Sequence, residues 1–174
     1  MQPRKFTPEA CAKLREYLMY DPATGVFRWR KSIWGKAVTG RRAGNVYAKR
    51  GTDKYRRIGV LGGRYDEHQI AFLFMTGAVP ALIDHKSGYG IDNTWDNLRA
   101  ATPIQNGQNQ RLRCDNSTGV KGVCRWGVTG RFQAYITVNK KRIPLGLFNT
   151  IASAASARRT AEIKYFGAFS RRLV

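Results

Sequence analysis

The chain has 174 residues, room for one ordinary domain or two small ones, and its 43% hydrophobic content can bury a core, which excludes a disordered tail. Thirty-one Lys and Arg against eleven Asp and Glu leave a formal charge of +20, and so large a surplus points to a polyanionic partner, a nucleic acid first. No apolar run approaches the roughly 18 to 20 residues of a membrane span, and the charged N-terminus leads into no apolar signal region. The expectation is a cytoplasmic protein with no membrane partner and no small-molecule cofactor. Three separated cysteines, Cys11, Cys114 and Cys124, can build neither a disulfide framework nor a zinc ribbon.

Thr7 is placed to cap a first helix, with Pro8 at its first position, Glu9 at its positive end, and Ala10, Cys11, Leu14, Tyr17 and Leu18 at helical spacing. Residues 21–25 read as a turn. After it Val26, Phe27, Arg28, Trp29 and Arg30 alternate apolar and basic side chains as a half-exposed strand does, which puts Arg28 and Arg30 on a cationic face. Residues 28–57 hold eleven Lys or Arg and one acid, Asp53, with Trp29, Trp34, Tyr47 and Tyr55 interleaved. A solvated face is the ordinary meaning of such a run, but in so basic a chain it reads as a surface for phosphates. Residues 55–61 follow as a strand, Gly62 and Gly63 as a two-residue hairpin turn, residues 64–67 as the return strand and residues 68–75 as a short helix.

Residues 81–109 break this style. Ile83, Asp84 and His85 end a short apolar run, a loop rich in Gly, Asn and Asp follows from 87 to 96, Asn97, Leu98 and Arg99 resume, and residues 103–110 can start a helix. The order is strand, loop, strand, helix. Polar residues then take over to 118, so the expected division is a first domain over 1–109, a linker over 110–118 and a second domain over 119–174. In the second, strands are expected over 120–126, 131–138 and 141–148, with a turn at Asn139 and Lys140. Thr150 then caps a helix through Tyr165 whose Ala152, Ala154, Ala155, Ala157 and Ala161 let it lie close on the sheet, with Gly167 past its end. The fold class is α+β.

Hydrolysing a phosphodiester takes a base to deprotonate water and a hard divalent cation, held by oxygen ligands, to neutralise the phosphoryl and leaving oxygens. Asp84 and His85 are adjacent at a strand end and point to opposite sides, so they can take different roles around one phosphate. Asn106 on the following helix can bring a second oxygen to the metal, with Asn109 as a weaker alternative. An Asp-His pair can also be no more than a satisfied hydrogen bond, and Asn-rich loops are ordinary turn chemistry. The chain has two histidines; His68 leads an apolar stretch and reads as a packed side chain, which leaves His85 as the stronger candidate base.

The string Ile83-Asp84-His85-Lys86, then Asp92-Asn93, then residues 95–102 (WDNLRAAT), then Gln105-Asn106 and Asn109 closely resembles the HNH endonuclease motif. Upstream, residues 20–29 (YDPATGVFRW), residues 67–71 (EHQIA), Thr76-Gly77 and Pro80 look like the lead-in of free-standing phage HNH nucleases, so the resemblance spans roughly residues 12–109. It implies the ββα-metal fold, His85 as general base, Asp84 and Asn106 holding a single Mg²⁺ or Mn²⁺, and Asn97 tying down the loop that carries His85. The products implied are a 5′-phosphate and a 3′-hydroxyl.

Residues 117–172 resemble the ethylene-response-factor type of DNA-binding domain, through Gly119-Val120-Lys121-Gly122-Val123, residues 130–136 (GRFQAYI), residues 142–150 (RIPLGLFNT) and the Ala-rich helix. That family lays a three-stranded sheet in the DNA major groove. Its contact positions fall here on Lys121, Gly122, Cys124, Trp126, Tyr135, Thr137, Arg142 and Pro144, of which Lys121, Trp126 and Arg142 have side chains suited to phosphate or base contact. Cys124, Thr137 and Pro144 depart from the family's usual Arg or Trp, so its target sequence does not carry over. Independently of any family, residues 110–174 hold thirteen Lys or Arg against two acids, Asp115 and Glu162.

The expectation is a two-domain, metal-dependent endonuclease of double-stranded DNA, of the phage homing or nicking kind, acting as a monomer or homodimer. His85 and Asn97 serve the chemistry, Asp84 and Asn106 the metal, and Lys121, Trp126, Arg142, Arg28, Arg30 and Arg99 the DNA. The rival is a non-catalytic, sequence-specific DNA-binding regulator on the same scaffold; an RNA-directed protein is a third reading that charge alone would serve.

Overall fold

The computed structural model describes residues 6–33, 35, 37–50, 53–109, 112 and 115–170. Trp34, Gln110, Cys114 and Arg172, which entered the sequence analysis, lie outside them. By its own contacts the chain divides into two units, residues 1–102 and 103–174.

The first unit begins where Thr7 caps helix α1 (Pro8–Tyr17), its hydroxyl accepting the Ala10 amide at 3.2 Å. The chain turns directly into β1 (Leu18–Asp21), which pairs antiparallel with β2 (Val26–Trp29) across a turn fixed by Asp21, whose carboxylate accepts from the Ala23 amide and the Thr24 hydroxyl. In β2 Phe27 and Trp29 are buried while Arg28 is exposed, as the alternation requires. Strands β3 (Asn45–Arg50), β4 (Asp53–Val60) and β5 (Gly63–Asp66) form a second antiparallel sheet in the order 3-4-5. The β4–β5 turn sits one residue earlier than its two glycines suggest: Leu61 and Gly62 take the positive φ angles, 51° and 67°, and Gly63 already pairs with Val60.

Helix α2 (Glu67–Thr76) is apolar over most of its circumference and ends at Gly77 in the left-handed conformation. Its Ile70, Ala71, Phe72 and Leu73 pack into one core with Leu14, Leu18, Phe27, Trp29, Ile58 and Leu98. Two short strands follow, β6 (Ile83–His85) and β7 (Leu98–Ala100), paired antiparallel so that Asp84 faces Arg99 and His85 faces Leu98.

Helix α3 (Pro103–Gln108) falls in the second unit, not at the end of the first as the sequence suggests. The Lys121 ammonium donates to the carbonyls of Gly107 and Gln108, at 3.4 and 3.0 Å, and so ties the end of this helix to the lead-in of the second unit's sheet. That sheet has the order β10-β9-β8, from β8 (Val123–Trp126), β9 (Arg131–Val138) and β10 (Lys141–Phe148). Helix α4 (Ile151–Phe166), capped by Thr150, covers its inner face. There Val123, Phe132, Ala134 and Ile136 meet Ala154, Ala161 and Phe166 in two adjoining clusters. Arg158 is the unexpected member: 5% exposed, it reaches Tyr135 O at 2.6 Å and Glu162 at 2.8 Å. Gly122 leaves room for it, since a side chain there would run into the guanidinium. No described helix is long and apolar enough to cross a membrane.

Candidate active site

The β6–β7 pair carries the candidate residues. Because strand neighbours point to opposite sides, Asp84 and His85 face different surroundings although both are buried, at 5% and 6% exposure. Asp84 accepts through Oδ2 from Arg99 across the strand pair, at 2.7 Å from Nε and 2.6 Å from Nη2. This pairing also places Arg99, expected on the DNA surface, beside the carboxylate.

His85 is held from the other side. Its Nε2 lies 3.1 Å from Oδ1 of Asn93, whose Nδ2 donates to Oε2 of Glu67 at 3.0 Å. Oε1 of Glu67 in turn accepts from Nε of Arg56 at 3.0 Å. The result is a continuous polar chain, Arg56–Glu67–Asn93–His85, through the interior of the first unit, with Glu67 fully buried and Asn93 at 2% exposure. Its geometry is supported from outside. The Tyr20 hydroxyl donates to the Asn93 carbonyl at 2.7 Å, and Gly25 packs so tightly on the Asn93–Thr94 peptide that no side chain fits there. Gly44, at φ 81°, gives its carbonyl to Arg56 at 3.0 Å and leaves space for Oε1 of Glu67.

Burial pushes the His85 imidazole below its ordinary value, against the opposing effects of Asn93, Asp84 and Asp92, and so favours the neutral ring that a base needs. Burial pushes the Glu67 carboxyl up, and Arg56 draws it back. Around His85 stand two further aromatic rings, His68 at 5.3 Å and Tyr55 at 6.0 Å between centroids.

Asn97 sits in a one-turn 3₁₀ segment, Trp95–Asn97, and closes the loop between the strands. Its Oδ1 accepts the Ser87 amide at 2.8 Å and its Nδ2 donates to the Asp92 carbonyl at 2.7 Å. The loop following His85 is thus pinned at both ends by one side chain. Asp92 sets the turn beside it by accepting from the Thr94 amide and hydroxyl.

As a metal site the donor chemistry suits a hard cation, since Asp84 supplies carboxylate oxygen. Among the described residues no three His, Cys, Asp or Glu side chains gather into a cluster, so a cation would need amide, water or substrate oxygens as well. Asn106, half-buried on α3, belongs to the second unit.

In the second unit the strand register puts Cys124, Trp126, Tyr135, Thr137, Arg142 and Pro144 on the sheet face opposite α4. Arg131 and Gln133, not singled out from the sequence, share that face. Trp126 is exposed, and Arg142 lies with its guanidinium 3.5 Å from the Tyr135 ring centroid while reaching Gln133 at 3.3 Å. Lys121 is engaged by α3, as described above. In the first unit Arg28 and Arg30 are exposed, and Arg28 also reaches the Gly40 carbonyl at 3.0 Å. Not all of the basic run is available to a partner, because Arg56 and Arg57 form ion pairs with Glu67 and Asp66.

Sequence reasoning missed Glu67, Asn93 and Arg56. Asn93 was visible beside Asp92 as motif material without a role, and Glu67 only as the end of a return strand and part of the lead-in motif. No protein-family model matches the chain, and neither does any curated protein.

Proposed function

We propose that this protein is a metal-dependent DNA endonuclease of the HNH kind. The observation that carries the reading is the buried pair on β6, where an imidazole whose pKa burial lowers stands next to a carboxylate that faces the other way. A titratable pair whose environment shifts one member's pKa is the arrangement that acid–base chemistry uses. The strand–loop–strand order with a loop pinned by Asn97, followed in sequence by α3, supports the same reading.

In this scheme His85 takes the proton of a water whose oxygen attacks phosphorus, the bond from phosphorus to O3′ breaks, and the strand ends carry 5′-phosphate and 3′-hydroxyl. Asp84 would help hold one Mg²⁺ or Mn²⁺, which when bound neutralises charge on the phosphoryl and leaving oxygens. Arg99 fixes the direction of the Asp84 carboxylate. Asn97 holds the loop and hence the position of His85 at the strand end. Double-stranded DNA is the proposed partner, gripped by the outer sheet face with Trp126 and Arg142 and by the exposed Arg28 of β2 and the Arg30 that follows it.

The test is incubation of supercoiled plasmid, and then DNA of the source genome, with Mg²⁺, with Mn²⁺ and with chelator. Metal-dependent conversion to open-circular or linear DNA is expected for the native chain. Tight DNA binding without cutting on either substrate would favour the non-catalytic regulator.

A further inference from the structure

A neutral imidazole carries one proton on two nitrogens, and which nitrogen can act as base depends on where that proton sits. The chain Arg56–Glu67–Asn93–His85 settles this step by step. Arg56 can only donate, so Oε1 of Glu67 accepts; the carboxylate accepts at Oε2 as well, so the group that Asn93 turns toward it is the amide NH₂. Asn93 must then present Oδ1 to His85, and an oxygen acceptor at 3.1 Å calls for a proton on Nε2. The proton-accepting lone pair is left on Nδ1.

We propose that Arg56, Glu67 and Asn93 are positioning residues that lock His85 as the Nε2–H tautomer and make Nδ1 the nitrogen that accepts a proton. The assignment of the tautomer stands on hydrogen-bond geometry alone; its value for catalysis rests on the nuclease reading. The device is rigid because the links from Glu67 to His85 are buried and each is fixed from a second side: Glu67 by the room at Gly44, Asn93 by Tyr20 and Gly25, and the His85 backbone by β7. No member other than His85 is placed at the reacting atoms.

The same logic predicts what a single atom change does. In Glu67→Gln the carbonyl oxygen stays with Arg56, so the amide NH₂ now faces Asn93. Asn93 must turn its oxygen toward Gln and its own NH₂ toward His85, which makes Nε2 an acceptor and moves the ring proton to Nδ1. Adding Asn93→Asp to Glu67→Gln restores an acceptor on both sides of position 93 and returns the proton to Nε2, with the total charge of the native chain.

The experiment is two-bond ¹H–¹⁵N correlation spectroscopy of the full chain, labelled at histidine nitrogen, without DNA or metal, at about pH 8 where an imidazole is neutral. With two histidines, one spectrum of His85→Ala assigns the signals. The native protein is expected to show Nε2–H at His85, Glu67→Gln to show Nδ1–H, and the double variant Nε2–H again. In cleavage assays Glu67→Gln should lose about 100-fold in kcat with KM for DNA unchanged, and the double variant should recover most of it.

A native spectrum with the proton on Nδ1, or a folded Glu67→Gln that keeps it on Nε2, overturns the proposal. The native spectrum decides even if Glu67→Gln does not fold. A native protein with the expected tautomer and no cleavage on any DNA sinks the nuclease reading and leaves the tautomer lock standing. A native protein that cuts DNA with the proton on Nδ1 does the reverse.

Discussion

The two units place their polar residues in opposite ways. In the first, Glu67, Asp84, His85, Asn93 and Asn97 are all under 9% exposed and joined to partners, whereas the second sets Arg131, Gln133, Tyr135, Thr137 and Arg142 along an outward sheet face and buries Arg158 to brace the sheet from behind. Buried polar chains are costly unless complete, so a protein that keeps one has a reason that geometry can supply: fixed direction and fixed proton. An outward row of donors and aromatics demands little of the fold, and on the proposed reading it serves affinity instead. The contrast predicts that substitutions in the first unit act on rate and stability and those in the second on binding.

The sharpest way to break this contrast is His85→Ala. Metal-dependent cleavage should fall by at least about 100-fold while DNA affinity stays within a few fold, because a base lowers the transition state without holding the substrate. Plasmid cleavage and a gel-shift titration on the same preparation measure both; a parallel collapse of affinity would mean that the first unit also carries binding.

Removing the middle of the buried chain should cost stability most. Glu67→Leu leaves the guanidinium of Arg56 facing an apolar group where its side chain is only 13% exposed, and losing one partner of a buried pair costs about 3 to 5 kcal/mol. Urea unfolding gives the number. Glu67 also has a pH signature. Since burial holds its folded pKa above the unfolded value, the folded state binds the extra proton between the two. That contribution is present in full below the unfolded pKa and is lost as pH rises through the folded one. Native stability minus that of Glu67→Gln should therefore decline with rising pH across that window and level off above it.

On the outer face of the second unit the effect moves to binding. Arg142→Ala takes a cation off the Tyr135 ring at an exposed position, so unfolding should shift by no more than about 0.5 kcal/mol. DNA affinity should weaken, and if Arg142 meets a phosphate the slope of log affinity against log salt should flatten by about one. A flat slope change with altered sequence preference would assign it to a base edge.

How much of this was legible beforehand follows from what carries each signal. Capping, alternation and glycine placement are local, so Thr7 and Thr150, the buried Phe27 and Trp29, and the three strands under α4 stand close to where the sequence puts them. Strand β3 was missed because Asn45, Lys49 and Arg50 read as part of a charged run and its pairing with β4 is a long-range fact. Asp84 and His85 were legible as neighbours at a strand end, and Asn97 through the motif resemblance alone. Glu67, Asn93 and Arg56 were not, since their role is created when β4, the start of α2 and the β6–β7 loop converge, and nothing at position 67 alone distinguishes a buried link from a helix-opening acid.

The finest test of the two-unit contrast lies in their hairpin turns. Each unit has a two-residue turn with both φ angles positive: Leu61 and Gly62 between Val60 and Gly63, and Asn139 and Lys140 between Val138 and Lys141. Such turns want Asn first and Gly second, and each unit satisfies one of the two. Leu61 holds the left-handed conformation at a cost of about 1 to 2 kcal/mol for a side chain of its kind, and at 41% exposure it recovers only part of that by packing. Leu61→Asn should therefore raise the stability of the first unit by about 0.5 to 1 kcal/mol, and Lys140→Gly should do the same for the second. Amide hydrogen exchange resolves the two units separately. If they fold independently, each substitution slows exchange in its own sheet alone; slowing in both would show that their stabilities are coupled.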